Sequence, residues 1–103
     1  MNVYHVEDCP FWRGAVSKCV NTSLGVTYSG WTATFVAARE AIERLKPDLL
    51  VLDLILPDGD GLELIAALEY ISPRTDVLIT SARIDDNVLL HCRVPRVKGM
   101  IWK

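Results

Sequence analysis

The stretch Leu49 to Gly61, LLVLDLILPDGDG, constrains the fold more than any other part of the sequence. Its first eight residues contain seven aliphatic side chains, and Asp53 is the single exception. An aliphatic run of this length that ends in a turn sequence is typical of a strand buried on both faces of a parallel sheet. Because carboxylates are rarely buried without a partner, we expect Asp53 to lie at the end of the strand and to face other charges.

The rest of the sequence alternates between strand-like and helical segments. Apolar runs predict four further strands, over residues 2–6, 25–30, 76–80 and 99–102. The segments between strands predict four helices: one that begins at Pro10, one capped by Thr32, one opened by the capping box of Asp60 and Glu63, and a short one over residues 85–92. Because strands and helices alternate with short connections, we predict a three-layer α/β fold with a parallel sheet between helices.

Helical spacing also predicts which side of the first two helices faces the sheet. In the first helix the recurring apolar residues are Phe11, Ala15 and Cys19. In the second helix they are Phe35, Ala38, Ile42 and Leu45. We therefore expect these two sets to be buried.

Length, charge and cysteine content exclude several classes of protein. A chain of 103 residues is enough for one domain. The formal net charge of -2 comes without a basic stripe, so we expect no direct contact with nucleic acid. No apolar run approaches the ~20 residues of a membrane span. Three cysteines without metal-ligand spacing favour free thiols, and hence a cytoplasmic protein.

Polar side chains gather where the predicted strands end. Glu7 and Asp8 follow the first strand, Asp53 the third, Ser81 the fourth and Lys103 the fifth. The carboxyl ends of parallel strands meet at one edge of the sheet, where α/β proteins bind ligands. Three carboxylates alone would repel one another, and an all-oxygen site of this kind suits Mg²⁺. With the ammonium group added, the site could neutralise a phosphoryl group that Asp53 attacks as a nucleophile.

The order and spacing of these residues resemble the receiver domain of two-component response regulators, over essentially the whole chain. The matching motifs are the acidic pair Glu7-Asp8, Asp53 with the LPxxDG pattern that follows it, the pair Ser81-Ala82, and Lys103. The resemblance implies a flavodoxin-like, doubly wound parallel sheet with strand order 2-1-3-4-5. It also implies a signalling switch rather than an enzyme with turnover, because the domain would catalyse only its own phosphorylation and dephosphorylation.

The same resemblance implies a role for each residue of the site. Asp53 would accept a phosphoryl group from a histidine kinase or a phosphotransfer protein. Magnesium would be held by Asp8 and Asp53 directly, by the backbone carbonyl of Ile55, and by Glu7 mainly through water. Ser81 would bond one phosphoryl oxygen and Lys103 would pair with another. Each residue also has an ordinary alternative, as a helix cap, a turn residue or a solvated end of the chain.

Three departures from the family pattern leave alternatives open. The acidic pair begins with Glu7 where Asp is commoner, and Met100 stands where the family often has an aromatic switch residue. These two departures argue weakly for a pseudo-receiver that only binds other proteins, whereas the full acidic set with Ser81 and Lys103 argues against it. A magnesium-dependent phosphohydrolase with an Asp nucleophile is a further class, but Ile55 occupies the position where such enzymes usually carry a second catalytic Asp.

The third departure is the fifth helix, which the family normally has after the lysine. The resemblance therefore implies that residues 1–103 are a receiver domain that lacks its last helix, within a longer product whose output is most often a DNA-binding domain that regulates transcription. One sheet face would then be covered by the first helix alone. We expect Val51, Leu78 or Ile101 to be exposed there and the chain to self-associate, for example as a homodimer.

Overall fold

A five-stranded parallel sheet with helices on both sides forms the protein in the computed structural model, which describes all residues from Met1 to Lys103. The elements in chain order are β1 (Asn2–Val6), α1 (Pro10–Asn21), β2 (Thr27–Thr32), α2 (Phe35–Leu45), β3 (Leu49–Leu52), β4 (Ile55–Leu56), β5 (Gly59–Asp60), α3 (Gly61–Ile71), β6 (Asp76–Ser81), α4 (Asp86–His91) and β7 (Val97–Trp102). The three-layer α/β prediction is confirmed. The longest helix has 12 residues, and none of the helices is long and apolar enough to cross a membrane.

The strand order of the sheet is β2-β1-β3-β6-β7. Strands β4 and β5 pair only with each other, in a small antiparallel hairpin outside the sheet. The five strands of the sheet therefore have the predicted 2-1-3-4-5 order and the flavodoxin-like topology. The chain leaves β1 toward one edge and returns to form β3 on the other side of β1, so the ends of β1 and β3 flank the crevice where such sheets bind ligands.

One face of the sheet carries the hydrophobic core. Alternate residues of the central strands point to this face and join a cluster of 17 buried apolar residues, including Tyr4, Val6, Leu50, Leu52, Val77 and Ile79. The helices α2, α3 and α4 cover it with Ala38, Ile42, Leu64, Leu68 and Val88. The predicted inner face of α2 is correct for its two central members, whereas Leu45 at the helix end is exposed.

The opposite face is covered by α1 and has a different composition. Its buried residues include four polar ones, His5, Glu7, Asp53 and Thr80. No residue of α1 is fully buried.

The predicted inner face of α1 is wrong, because Phe11, Ala15 and Cys19 are all exposed. The partly buried stripe is Trp12, Val16 and Val20, one residue further along. Both stripes are apolar and both recur every four residues, so spacing alone could not choose between them.

The expected exposure of this face is only partly correct. Ile101 is 50 % exposed and Leu78 is half-buried, but Val51 is only 3 % exposed. Val51 lies in register between His5 on β1 and Leu78 on β6, and these neighbours shield a residue of the central strand. Of these three residues, exposure is therefore greatest on the edge strand β7, smaller on β6 and least on the central strand β3.

Two local features differ from the sequence prediction. The N-cap of α2 is Thr34, whose hydroxyl accepts a hydrogen bond from the backbone N–H of Ala37 at 3.3 Å, whereas Thr32 ends strand β2. The register of β2 against β1 also shifts at a β-bulge beside Gly30, whose φ of 152° is one that residues with a side chain rarely adopt. Because of this bulge, Tyr28 and Trp31 both line a cleft against α1, although they are three residues apart.

Candidate functional site

The carboxylate of Asp53 lies at the end of β3, as the opening stretch of sequence predicted, and is 6 % exposed. Its backbone N–H donates to the carbonyl of Val6 at 3.0 Å, which ties it to the end of β1. Its side chain accepts two hydrogen bonds, from the N–H of Ile55 to Oδ1 at 3.1 Å and from Nζ of Lys103 to Oδ2 at 3.2 Å. Asp53 is therefore held by contacts from β1, from the turn that follows it and from Lys103 beyond β7.

Two further carboxylates stand beside Asp53. Glu7 and Asp8 follow β1, and each offers a carboxylate oxygen, so that the three groups place oxygens within 4.8 Å of one another. Glu7 is fully buried, and Asp8 is exposed. The cluster thus has an inner wall, formed by Glu7 and Asp53, and an opening to solvent beside Asp8.

Lys103 supplies a positive charge at this cluster. Its ammonium group forms ion pairs with Glu7 and Asp53, and its side chain is only 10 % exposed. The backbone N–H of Lys103 donates to the carbonyl of Ser81 at 2.9 Å, which fixes the residue beyond the last strand. Nζ also lies 5.4 Å from the centre of the Trp12 ring. Lys103 is therefore part of the site.

The charges of these groups perturb one another. Burial raises the pKa of Glu7 and the nearby Asp53 adds to the rise, against an opposing hydrogen bond from Lys103. Burial opposes the charge of Lys103, but its hydrogen bonds to the two carboxylates outweigh this and raise its pKa. Three carboxylates and one ammonium leave an excess of negative charge. The site is therefore electrostatically suited to another cation.

The donor set of the cluster fits Mg²⁺. Mg²⁺ prefers hard oxygen ligands, needs only one or two carboxylates from the protein, and keeps several waters. Asp8 and Asp53 provide such carboxylates, and the exposure of Asp8 leaves room for water. Ile55 follows Asp53 closely, although its backbone carbonyl forms no contact that identifies it as a ligand.

Ser81 and Arg83 border the site on the β6 side. Ser81 is fully buried, and its hydroxyl accepts a hydrogen bond from the N–H of Arg83 at 3.1 Å. The guanidinium group of Arg83 donates to Asp60 at 2.8 Å and to Asp85 at 3.2 Å. Asp60 and Asp85 are the N-caps of α3 and α4, so Arg83 joins the starts of two helices next to Ser81. The sequence analysis did not predict this bridge.

His5 lies two residues before Glu7 on β1, and it is fully buried. Its Nδ1 is 2.9 Å from the hydroxyl oxygen of Tyr28, and Nε2 has no partner. Burial, and then the charges of Lys103 and Arg13, lower the pKa of His5 to about 4. His5 is therefore neutral near pH 7 and adds no charge beneath the acidic cluster.

Sequence reasoning missed Arg13, which contacts the loop that carries the acidic pair. Its guanidinium donates to the backbone carbonyls of Glu7 and Asp8 and lies against the ring of Trp31. The only sequence signal is a basic residue in the first turns of α1. That signal is too common to identify a function, and the partner Trp31 is 18 positions away in the sequence.

The family model of the response regulator receiver domain matches residues 3–103 of the chain. Among curated proteins, the protein-glutamate methylesterase/protein-glutamine glutaminase 1 of Dechloromonas aromatica is 34 % identical over 76 residues, which cover 74 % of this chain and 22 % of that protein. The corresponding protein of Thiobacillus denitrificans is 32 % identical over 81 residues, or 79 % of this chain and 23 % of that protein. The chain therefore spans less than a quarter of the length of these relatives.

Solved structures of response regulators also resemble this chain. The signal receiver domain of the response regulator NarL from Mycobacterium tuberculosis superposes with a TM-score of 0.86 at 27 % identity, over 98 % of this chain and 82 % of that one. A DNA-binding response regulator of the LuxR family from Staphylococcus aureus superposes with a TM-score of 0.85 at 20 % identity, over 98 % and 84 % of the two chains. At that lower identity the likeness concerns the fold alone.

Proposed function

Because the chain belongs to the response regulator receiver domain family, we propose that it is a phosphorylation-dependent switch that accepts a phosphoryl group on Asp53. The observation that carries this proposal is the meeting of three carboxylates with Lys103 at the crevice between β1 and β3. Such a cluster is unfavourable for the fold, since two of the carboxylates are buried. A role in binding a cation and a phosphoryl group accounts for it.

Asp53 is the proposed nucleophile. One carboxylate oxygen attacks the phosphorus of a phosphohistidine, a P–O bond forms, and the P–N bond breaks. The imidazole leaves with the electron pair and takes up a proton. The product is an aspartyl phosphate, and attack of water on its phosphorus later returns Asp53 and inorganic phosphate. The hydrogen bond from Ile55 and the ion pair with Lys103 hold the nucleophile in one orientation.

Lys103 and Ser81 are the proposed contacts of the phosphoryl oxygens. Lys103 is already within 3.2 Å of Asp53, so its ammonium group can neutralise charge that appears on the transferred group. The hydroxyl of Ser81 accepts one hydrogen bond from Arg83 and keeps its own proton to donate. Together they replace part of the hydration that the phosphoryl group loses.

Magnesium is the proposed cofactor. Asp8 and Asp53 would bind it directly, the carbonyl of Ile55 would complete the protein ligands, and Glu7 would act mainly through water. A bound magnesium ion supplies charge neutralisation for the phosphoryl oxygens. The residues of the chain then provide what the ion does not, which is the nucleophile and its orientation.

We propose a histidine kinase or a phosphotransfer protein as the phosphoryl donor, and a cytoplasmic location. The output is proposed to be a DNA-binding domain that regulates transcription; the LuxR-family protein with the similar fold is itself a DNA-binding response regulator. The receiver itself would act as a switch and would turn over no substrate besides its own phosphoryl group.

Intact-mass measurement after incubation with acetyl phosphate tests the proposal. We expect one phosphate adduct in the presence of Mg²⁺, none with EDTA, and none in Asp53→Asn. Glu69→Gln is a matched control, because this exposed carboxylate on α3 lies outside the cluster and its loss should leave the adduct unchanged. An adduct that persists in Asp53→Asn would overturn the assignment, and the absence of any adduct in the wild type would favour the pseudo-receiver.

A further inference from the structure

We propose that Arg13 is a positioning residue for the acidic pair, held against Trp31 so that it fixes the loop between β1 and α1. The proposal rests on the proposed function only in assigning Glu7 and Asp8 to a magnesium site. Arg13 touches neither carboxylate. It acts through the backbone from which both side chains project.

The geometry places one guanidinium group between two elements. Nη1 of Arg13 donates to the carbonyl oxygen of Glu7 at 3.2 Å and to that of Asp8 at 3.1 Å. Its Cζ lies 3.8 Å from the centre of the Trp31 ring on β2. Two consecutive carbonyls that turn toward one donor define the direction of the peptide group between them. The carboxylate of Asp8 is thereby directed to the side where Glu7 and Asp53 lie.

Beyond Glu7, whose backbone N–H donates to the carbonyl of Thr32 at 2.9 Å, the loop has little other support. No other hydrogen bond to the carbonyl of Glu7 or of Asp8 is formed. Cys9, the N-cap of α1, makes no side-chain capping bond, and its N–H reaches Glu7 Oε2 only at 3.4 Å. Asp8 is exposed, so packing does not fix it either. Glu7 is held by burial and by its ion pair with Lys103, so Arg13 is the main constraint on the backbone at Asp8.

Trp31 makes this constraint possible, and the bulge of β2 places it. Without the shift at Gly30, residues 28 and 31 would point to opposite faces of the sheet. A planar guanidinium stacks on an aromatic face and still donates in its own plane, whereas an ammonium group cannot do both. Trp31 remains 47 % exposed, so its burial contributes little to the core and its position is better explained by the stacking.

The electrostatic effect of Arg13 has the opposite sign to its positioning effect. A cation near the acidic cluster repels Mg²⁺, so its removal would tighten binding if charge alone mattered. If Arg13 orients Asp8, its removal weakens binding in spite of the relieved repulsion. The direction of the change therefore separates the two explanations.

The first measurement is the Mg²⁺ affinity of the unphosphorylated protein, obtained from a titration in which amide chemical shifts monitor binding. We expect Arg13→Met and Trp31→Leu to weaken binding by about tenfold, as for other residues that orient metal ligands. Arg13→Lys keeps the charge but loses the planar donor, so it should also weaken binding. Trp31→Phe keeps an aromatic face and should restore near wild-type affinity. Lys18→Met removes an exposed charge from the same helix and should not weaken binding.

The second measurement needs no metal and separates this proposal from the proposed function. Backbone order parameters of Asp8 and Cys9 in the metal-free protein should fall in Arg13→Met and Trp31→Leu, but not in Lys18→Met. A rigid loop in Arg13→Met would overturn the positioning role, whether or not the wild type binds Mg²⁺. Equal or tighter Mg²⁺ binding by Arg13→Met would overturn it as well. If the loop is mobile in Arg13→Met but the wild type accepts no phosphate, the positioning role of Arg13 is supported and only the proposed function is rejected.

Discussion

The two faces of the sheet differ in chemistry and in the way their helices are held. The face under α2, α3 and α4 is packed with aliphatic side chains that belong to one buried cluster. The face under α1 buries His5, Glu7, Asp53 and Thr80 instead. Two of these residues have a buried polar atom without a hydrogen-bond partner, namely Nε2 of His5 and Oγ1 of Thr80. Burial of polar groups in this condition opposes folding.

The helix ends repeat the contrast. Each helix of the apolar face begins with a side chain that accepts a backbone N–H, namely Thr34 for α2, Asp60 for α3 and Asp85 for α4. Helix α1 has no such cap and no buried residue. Packing therefore dominates the face under α2, α3 and α4, and the polar groups of the candidate site lie on the face under α1. We expect the apolar face to contribute most of the free energy of folding, because the large buried cluster lies there, whereas α1 is held by a few specific contacts such as that of Arg13 with Trp31.

The largest expected effect comes from a pair of substitutions, one on each face of the sheet. Leu52→Ala removes a fully buried side chain from the core and should lower the free energy of unfolding by about 3 kcal/mol. Thr80→Val replaces an unpartnered buried hydroxyl by a methyl group of similar size, so we expect a change within about 0.5 kcal/mol or a small gain. Urea denaturation measures both, with unchanged m-values as the control for the unfolded state. Comparable losses in the two variants would contradict the division between the faces.

A pair of glycine substitutions sharpens the comparison between α3 and α1. A Cβ on Gly61 would lie 2.7 Å from Cα of Leu54 and 2.8 Å from the carbonyl oxygen of Asp53, and these backbone atoms cannot move aside. Gly61→Ala should therefore cost about 2 kcal/mol. Gly14→Ala, in the middle of α1, meets nothing within 4 Å and should stabilise by about 0.5 to 1 kcal/mol. Thermal unfolding of both variants measures these changes. If Gly61→Ala unfolds at the temperature of the wild type, the start of α3 does not pack closely against the end of β3.

The smallest expected effect concerns pH and the start of α2. Asp58, in the β4–β5 hairpin, accepts the N–H groups of Phe35 at 2.6 Å and Val36 at 3.1 Å, and these bonds hold the pKa of Asp58 below its ordinary value of 3.8. An acid with a lowered pKa adds stability above its unfolded pKa and loses it as the pH falls through the folded pKa. Asp58→Asn should thus lower the melting temperature near pH 7, with a difference that shrinks below about pH 4.

The control for this experiment is Glu40→Gln, which removes an exposed charge from the same helix. Its melting temperature should follow that of the wild type at every pH. If the melting temperature of Asp58→Asn is lower than that of the wild type by the same amount at pH 7 and pH 3, the contribution of Asp58 to stability does not come from its charge at the helix start.

Much of the fold follows from local sequence patterns. The aliphatic run before Asp53 predicted a central strand, and alternation with helices predicted the parallel sheet, whereas the strand order came from the resemblance to receiver domains. The clustering of Glu7, Asp8, Asp53 and Lys103 was also predictable, because parallel strands bring their carboxyl ends to one edge whatever the detailed packing. Their chemical roles stay predictions until the phosphorylation experiment is done.

Other features were decided only by the tertiary structure. The apolar stripe of α1 that faces the sheet, the cap that Asp58 gives to α2, and the bridge from Arg83 to two helix starts all depend on elements that are distant in the sequence. The contact of Arg13 with Trp31 depends further on a bulge beside Gly30. Periodicity determines which side chains share a face of one element, because it is a property of the local backbone. Which elements meet, and in what rotation, is set by packing across the sheet, and no local pattern encodes it.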